Sequence, residues 1–482
     1  MTECKLYING KWTETKSGKI IDDIIPADNS IVAKVHTAGP EEVEAAISSA
    51  DNAFPAWSAM QADMREALFL KAADHLEKNI EKYAAYLIEE SGSAFMKAMD
   101  EVAQSVNIWR EAAGECRRID GGIVPADGPN QMSTYIHLPL GIVGGIAPFN
   151  YPLLLALNKV ALAMAAGNTF ILKPASDTPL AGMIIAECCE AAGFPDGVFN
   201  LVPGKGSVVG NALVDDDRVK MITFTGSTAV GRGIGNGCMK HLKRVTLEMG
   251  GKNPLIVLKD FDVDRAVSIA AFGAYFHQGQ ICMCTSRIIV EEPIYDEFCE
   301  KFAAKARGLK MGDPHNQDTI IGPLINDQQY KVLDAHIADA TSKGARLLCG
   351  GNHNGAFYEA SVLADVTPEM NVFQDESFGP LTNIVRAKDA EDALRLCNLN
   401  EYGLSSALLT NDITLAMTMA PRMESGMVHV NDTTVMGSRR APFGGVKGSG
   451  IGREDSHFSI EEFTQLKWIT YQLSPLGYPT DL

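Results

Sequence analysis

From about residue 138 the chain alternates between short apolar runs and stretches with helical periodicity. The runs at 141–147, 169–172, 198–202, 221–225 and 244–247 are short and rich in β-branched and aromatic residues, so they read as strands. Between them, 153–166 and 179–192 carry helical patterns, the first ended by Gly167-Asn168. Strands that are apolar throughout are buried on both faces, which demands a parallel sheet covered by helices on either side. A second series begins near Gly250, with strands at 254–258 and 287–290 and helices at 263–275 and 294–306. The expected fold class is therefore α/β, with two doubly wound parallel-sheet domains.

The flanks differ. Residues 1–35 read as short strands joined by Asn9-Gly10 and Ser17-Gly18 turns. One helix starts at Pro40-Glu41-Glu42, a long amphipathic one spans 63–90, and a third covers 94–118. The tail returns to strand at 463–472. Together with 120–140 it forms an excursion outside both domains, and an exposed strand there needs a partner to cover its edge.

A length of 482 residues suits two or three domains, and 46% apolar residues can fill their cores. The net charge of −18 argues against nucleic acid and anionic membrane surfaces as partners. Ten cysteines without regular spacing do not make a disulfide scaffold. Residues 1–12 lack the apolar core of a signal peptide. The most apolar stretch, 151–167, carries Asn158 and Lys159 and is shorter than the ~20 residues that span a bilayer. A cytoplasmic location is expected.

Four sites carry candidate chemistry. Cys282 lies in Gly279-Gln280-Ile281-Cys282-Met283-Cys284, a loop before a predicted strand, where a thiol can act as nucleophile or be an inert core group. Cys284 makes a Cys-x-Cys pair, but no second pair at zinc-site spacing follows, so no metal site is expected. Thr225-Gly226-Ser227-Thr228-Ala229-Val230-Gly231 links an apolar strand to a helix, as a phosphate-binding turn does, without the full Gly-x-Gly-x-x-Gly pattern. Glu248, after an apolar strand and before Gly250-Gly251, suits a general base tuned by partial burial. Asn150, in Pro148-Phe149-Asn150-Tyr151-Pro152, can donate to an oxyanion or merely shape its turn. Together they are the parts needed to oxidise a carbonyl through a thioester.

These segments, with Glu376-Ser377-Phe378-Gly379-Pro380 and Pro442-Phe443-Gly444-Gly445-Val446-Lys447, occur in the order found in the aldehyde dehydrogenase superfamily, which the chain resembles over nearly its whole length. The resemblance implies a dinucleotide-binding domain from 1–119 and 140–248, a catalytic domain from 249–445, and an oligomerisation segment from 120–139 and 460–482, hence a homodimer or homotetramer. It implies that Cys282 attacks an aldehyde, that Asn150 holds the oxyanion, and that Glu248 activates the water that hydrolyses the thioester. Relatives that pass the acyl group to coenzyme A generally lack that glutamate.

For the cofactor, NADP or NAD, the resemblance places Lys173 and Ser176 at the adenine ribose, Gly226 and Ser227 at the pyrophosphate, Glu376 at the nicotinamide ribose and Phe378 near the nicotinamide, with Phe149 also among the cofactor-binding residues. Many NAD-specific relatives carry Glu where this chain has Ser176, so NADP is expected to be accepted. By family position the substrate pocket is lined by Tyr151, Leu154, Phe276, Ile281, Met283 and Met436, an apolar, aromatic set suited to benzaldehyde- or vanillin-like aldehydes. Gln104 and Asn158 offer a polar handle. Arg439 and Arg440 point instead to succinate-semialdehyde-like or other aliphatic substrates. A non-catalytic protein on the same fold would lack Cys282 or Glu248, and both are present.

Overall fold

The computed structural model describes residues 2–16 and 19–480, so the Ser17-Gly18 turn lies outside the described residues. Its centre is two parallel sheets. In the first, the order is Gly450–Ile451, Arg244–Glu248, Val219–Thr225, Ile142–Ile146, Thr169–Lys173, Phe199–Leu201, Leu6–Ile8 and Lys11–Thr13. The five strands from Arg244–Glu248 to Phe199–Leu201 run parallel, and the outer ones pair antiparallel. The Ile142–Ile146 and Thr169–Lys173 strands are buried at every residue, which is why they read as unbroken apolar runs.

The second sheet runs Arg346–Cys349, Ser361–Ala364, Leu381–Ala387, Thr285–Glu291, Asn253–Val257, Ser405–Leu409 and Met427–Val430. Only Arg346–Cys349 is antiparallel to its neighbour. Each sheet has a buried apolar cluster on both faces, as the doubly wound expectation requires.

A third sheet, antiparallel, joins Gly121–Val124, Gln131–Pro139 and the tail strand Thr464–Gln472. It lies in the stretches read from the sequence as an excursion. Near the start, Asn9 and Gly10 both take positive φ, 52° and 71°, and close a tight hairpin between Leu6–Ile8 and Lys11–Thr13.

One expectation is corrected. The helix read across 63–90 is two helices, Ala62–Glu77 and Ile80–Ser91. Asn79 breaks it: its backbone leaves helical geometry (φ −121°, ψ 20°), and its side-chain amide donates to the His75 carbonyl at 2.8 Å.

The chain order within the first sheet fixes where a ligand can bind. From Ile142–Ile146 the chain builds outward to Thr169–Lys173 and Phe199–Leu201, then returns to the opposite side for Val219–Thr225 and Arg244–Glu248. Connections therefore diverge between Ile142–Ile146 and Val219–Thr225, leaving a crevice beyond their carboxyl ends.

Candidate active site

A cavity of about 350 Å³ occupies that crevice. Ala147, Pro148 and Phe149 enter it from one strand, and Thr225, Gly226 and Ser227 from the other. The helix Thr228–Lys240 starts at its rim, so unpaired N–H groups and the positive helix end face the space. Two glycines make room. A Cβ on Gly226 would lie 2.5 Å from the Phe224 ring, and one on Gly250 would lie 2.2 Å from Glu376 Oε2. Glu376 Oε1 accepts from the Gly251 N–H at 3.1 Å, and burial pushes its carboxyl up to about 7. The Phe149 and Phe378 rings meet edge-on, with centroids 5.6 Å apart. A helix end for phosphate, a carboxyl for ribose hydroxyls and a flat aromatic wall fit a nicotinamide dinucleotide.

Lys173 and Ser176 stand beside this cavity, while Ala175 lines it. The Lys173 ammonium donates to the Pro174 carbonyl at 2.7 Å, and burial lowers it to about 8 against the pull of Asp177. Ser176 lines a separate hollow with Asp22, Asp23, Asp177 and Asp327.

Cys282 sits at the floor of the same cavity, partly exposed. The loop that delivers it runs through left-handed backbone at His277, Gln278 and Gly279, with φ of 50°, 46° and 70°. Non-glycine residues there cost about 1–3 kcal/mol each, so the surroundings must hold them. They do: the Gln278 amide donates to the carbonyls of Gly92 (3.0 Å) and Pro323 (2.9 Å), and Gln280 Oε1 accepts from the Ile325 N–H at 3.1 Å. Gly279 is required, since a Cβ there would lie 2.3 Å from the Gly379 oxygen. Beyond the turn, Asn253 Nδ2 donates to the carbonyls of Cys282 (2.7 Å) and Cys284 (3.0 Å).

Burial pushes the Cys282 thiol up to about 12, with Glu248 and Glu376 adding to the effect. Cys284 is buried, donates to the Ala274 carbonyl at 3.3 Å and is likewise pushed up to about 12.

Glu248 ends its strand 3% exposed, with neither carboxyl oxygen hydrogen-bonded to protein. Burial, and then the neighbouring Glu454 carboxyl, hold its pKa well above the usual range. Behind it Lys159 and Glu454 form a buried ion pair.

Asn150 is positioned by residues that the sequence reading missed. Its carbonyl accepts from Lys97 Nζ at 2.7 Å, and Lys97 pairs with Glu101 at 2.5 Å, both fully buried. Glu101 Oε1 in turn accepts from the N–H groups of Leu153 (2.9 Å) and Leu154 (3.1 Å), capping the helix Pro152–Ala165. The Lys97 ammonium also lies 4.2 Å from the centre of the Tyr151 ring. A signal was present: Lys97, Glu101 and Ser105 recur on the apolar stripe of their helix, among Ala98 and Val102.

A second cavity, of about 520 Å³, meets the first at Asn150, Leu155, Cys282 and Phe443. Tyr151, Leu154, Phe276, Ile281, Met283 and Met436 all line it. Phe272 stacks on Phe276 at 5.0 Å. Gln104, Asn158 and Arg439 are in its wall, whereas Arg440 is not and is exposed.

A thiol between a crevice shaped for a dinucleotide and a cavity with an aromatic-rich wall, with a carboxyl and an amide beside it, defines a cysteine-dependent oxidoreductase for carbonyl compounds. The model of the aldehyde dehydrogenase family matches residues 12–469. The chain belongs to the aldehyde dehydrogenase family. It is 41% identical to a vanillin dehydrogenase of Corynebacterium glutamicum over 96% of this chain and 97% of that protein. It is 39% identical to a benzaldehyde dehydrogenase [NAD(+)] of Pseudomonas putida over 98% and 97%. The crystal structure of a salicylaldehyde dehydrogenase from Pseudomonas putida G7, complexed with salicylaldehyde, superposes with a TM-score of 0.97 at 35% identity, covering 99% of this chain and 100% of that one.

Proposed function

We propose that this enzyme oxidises an aromatic aldehyde to its carboxylic acid, with NAD or NADP as oxidant and Cys282 as nucleophile. One observation carries the reading: Cys282 stands where a dinucleotide crevice and an aromatic-lined cavity meet. The relatives named for vanillin, benzaldehyde and salicylaldehyde support the choice of aldehyde.

The Cys282 sulfur adds to the aldehyde carbon, and its proton passes to a base. The oxyanion of the tetrahedral adduct takes hydrogen bonds from the Asn150 amide and the Cys282 N–H, each donor of this kind being worth about 2.7–4 kcal/mol. When bound, the dinucleotide supplies the hydride acceptor. Phe149 and Phe378 would wall its ring and Glu376 would take its ribose hydroxyls, so these residues would hold it beside Cys282. The product is a Cys282 thioester. Glu248 removes a proton from water, the water oxygen attacks the acyl carbon, and the thiol leaves with a proton, releasing the acid.

Ser176 stands where many NAD-specific relatives carry a ribose-binding Glu, so NADP serves alongside NAD, with Asp22, Asp23, Asp177 and Asp327 as the carboxylates that share the Ser176 hollow. Location in the cytoplasm and a homo-oligomer built through the third sheet complete the reading. Among the described residues no helix is long and apolar enough to cross a membrane.

Rates on benzaldehyde and succinate semialdehyde, each with NAD and NADP, test the reading on wild type and Cys282→Ala. Benzaldehyde is expected to be preferred, both cofactors to serve, and the variant to be inactive. Preference for the semialdehyde overturns the substrate class, inactivity with NADP overturns the cofactor assignment, and retained activity in Cys282→Ala overturns the mechanism.

A further inference from the structure

Beyond Asn150, the polar wall of the aldehyde cavity is made of Asp100, Ser438, Glu454 and one linked group, Gln104, Asn158, Arg439 and Asp455. None of them takes part in the steps above. Arg439 Nη2 donates to Gln104 Oε1 at 3.1 Å, and Gln104 Nε2 donates to Asp100 Oδ1 at 3.3 Å. Burial, and then the neighbouring Glu454, push the Asp455 carboxyl up to about 7, while Arg439 and Asn158 favour its ionised form.

These residues come from separate parts of the fold. Gln104 lies on the helix Phe95–Glu115, and Asn158 one turn beyond Leu154 on the helix Pro152–Ala165. Arg439 lies in the chain after Met427–Val430, and Asp455 immediately precedes the helix Ser456–Glu462. Asp455 and Ser456 both take positive φ, 77° and 45°. Non-glycine residues hold such a backbone only where the surroundings enforce it, and such places cluster at ligand sites.

The charge balance limits what this wall can bind. Arg439 is the cation of the group, and Asp455, Asp100 and Glu111 all act on it. A carboxylate on the substrate would meet a cation already compensated and acidic groups beside it. A neutral hydroxyl meets the opposite situation: a carboxyl that accepts its proton, and amide and guanidinium N–H groups that donate to its oxygen.

Resting on the aromatic reading above, we infer that Asp455, with Asn158 and Arg439, binds a hydroxyl on the ring of the aldehyde, so that hydroxylated benzaldehydes are preferred over benzaldehyde itself. A pocket built to hydrogen-bond a substrate hydroxyl discriminates against the analogue that lacks it, because its own polar groups are then left unpaired.

The test is kcat/KM for benzaldehyde and for its ortho, meta and para hydroxy derivatives, in wild type, Asp455→Asn and Arg439→Met. Asn keeps the shape of Asp and tolerates the left-handed backbone. At least one hydroxy isomer is expected to exceed benzaldehyde by roughly ten-fold in wild type, the value of one charge-assisted hydrogen bond. That ratio is expected to fall toward unity in Asp455→Asn, chiefly through KM. Arg439→Met, at a partly buried position, provides the same readout independently of how Asp455→Asn folds, and is expected to lower the ratio too. Wild-type ratios within about two-fold of unity for every isomer, or an unchanged ratio in the variants, overturn the inference while leaving the aromatic reading in place. Turnover of aliphatic aldehydes with none of any benzaldehyde overturns both.

Discussion

Burial disfavours the charged form of both groups proposed to drive turnover. The Cys282 thiol is pushed up to about 12 by burial, and burial also raises Glu248 well above an ordinary carboxyl. The sign follows directly. A base works only when ionised, and a raised pKa keeps Glu248 protonated at low pH, so kcat should climb as pH rises through that raised value. A kcat that falls steadily from about pH 5 to 8 contradicts this. Replacing the base separates the two half-reactions. Glu248→Gln should still form the thioester, giving a burst of reduced cofactor equal to the enzyme present, followed by turnover slowed roughly 10²- to 10⁴-fold. Rapid-mixing absorbance reads the burst, and its absence moves Glu248 into the first step. At this scale the sequence was informative. Glu248 and Asn150 follow apolar runs, Cys282 precedes one, and all three lie near a Gly or Pro that shapes the backbone, so local pattern makes them candidates. Lys173 and Ser176 were harder to place. A residue at a strand end can face either of two hollows, and only the packing decides which.

Elements explain what local pattern hid. An i,i+4 Lys–Glu pair on a predicted helix ordinarily lies in water, yet Lys97 and Glu101 are buried under the loop that carries Asn150. What buries them is the helix Pro152–Ala165, more than 50 residues later in the chain, whose first N–H groups Glu101 caps. No periodicity within Phe95–Glu115 encodes that neighbour. The break at Asn79 was missed for a related reason: the apolar stripe continues across it, and only one asparagine marks the stop. The buried pair leads to a prediction. Removing one partner strands the other without compensation, so Lys97→Met or Glu101→Leu should cost about 3–5 kcal/mol, and the double variant less than the sum of both. Because the pair also fixes the Asn150 carbonyl, the single variants should lose kcat more than they raise aldehyde KM. Denaturant unfolding and steady-state rates on the same proteins test both halves, and additive losses with unchanged kcat contradict the linkage.

At the scale of the molecule, strand and helix alternation made both doubly wound sheets legible, since burial on both faces leaves continuous apolar runs. The site between them was not legible, because Glu248 ends a strand of one sheet, Cys282 lies in the loop that leads into a strand of the other, and the two meet only through tertiary packing. The third sheet poses the remaining physical question. Among the described residues its tail strand Thr464–Gln472 pairs on one side only, and large apolar side chains are exposed on it beside Gln465, Lys467, Thr470 and Gln472. Leu466 is 64% exposed, Trp468 71% and Leu473 71%, and across the sheet Ile123 is 79% exposed. Edges left in water are normally protected with charge, proline or a short strand, whereas this one is nine residues long, with Lys467 as its one charge and Leu466 and Trp468 exposed. Burying such a surface against a second copy satisfies both the strand edge and the side chains, and a two-fold arrangement closes the assembly without leaving another edge. The wild-type protein should therefore run as a dimer or larger in light scattering. Leu466→Lys combined with Trp468→Glu, changes confined to exposed positions, should shift it to a smaller species while each subunit retains its helical signal. A wild-type protein that is monomeric at micromolar concentration would remove the reason for this surface and return the third sheet to an unexplained feature of the fold.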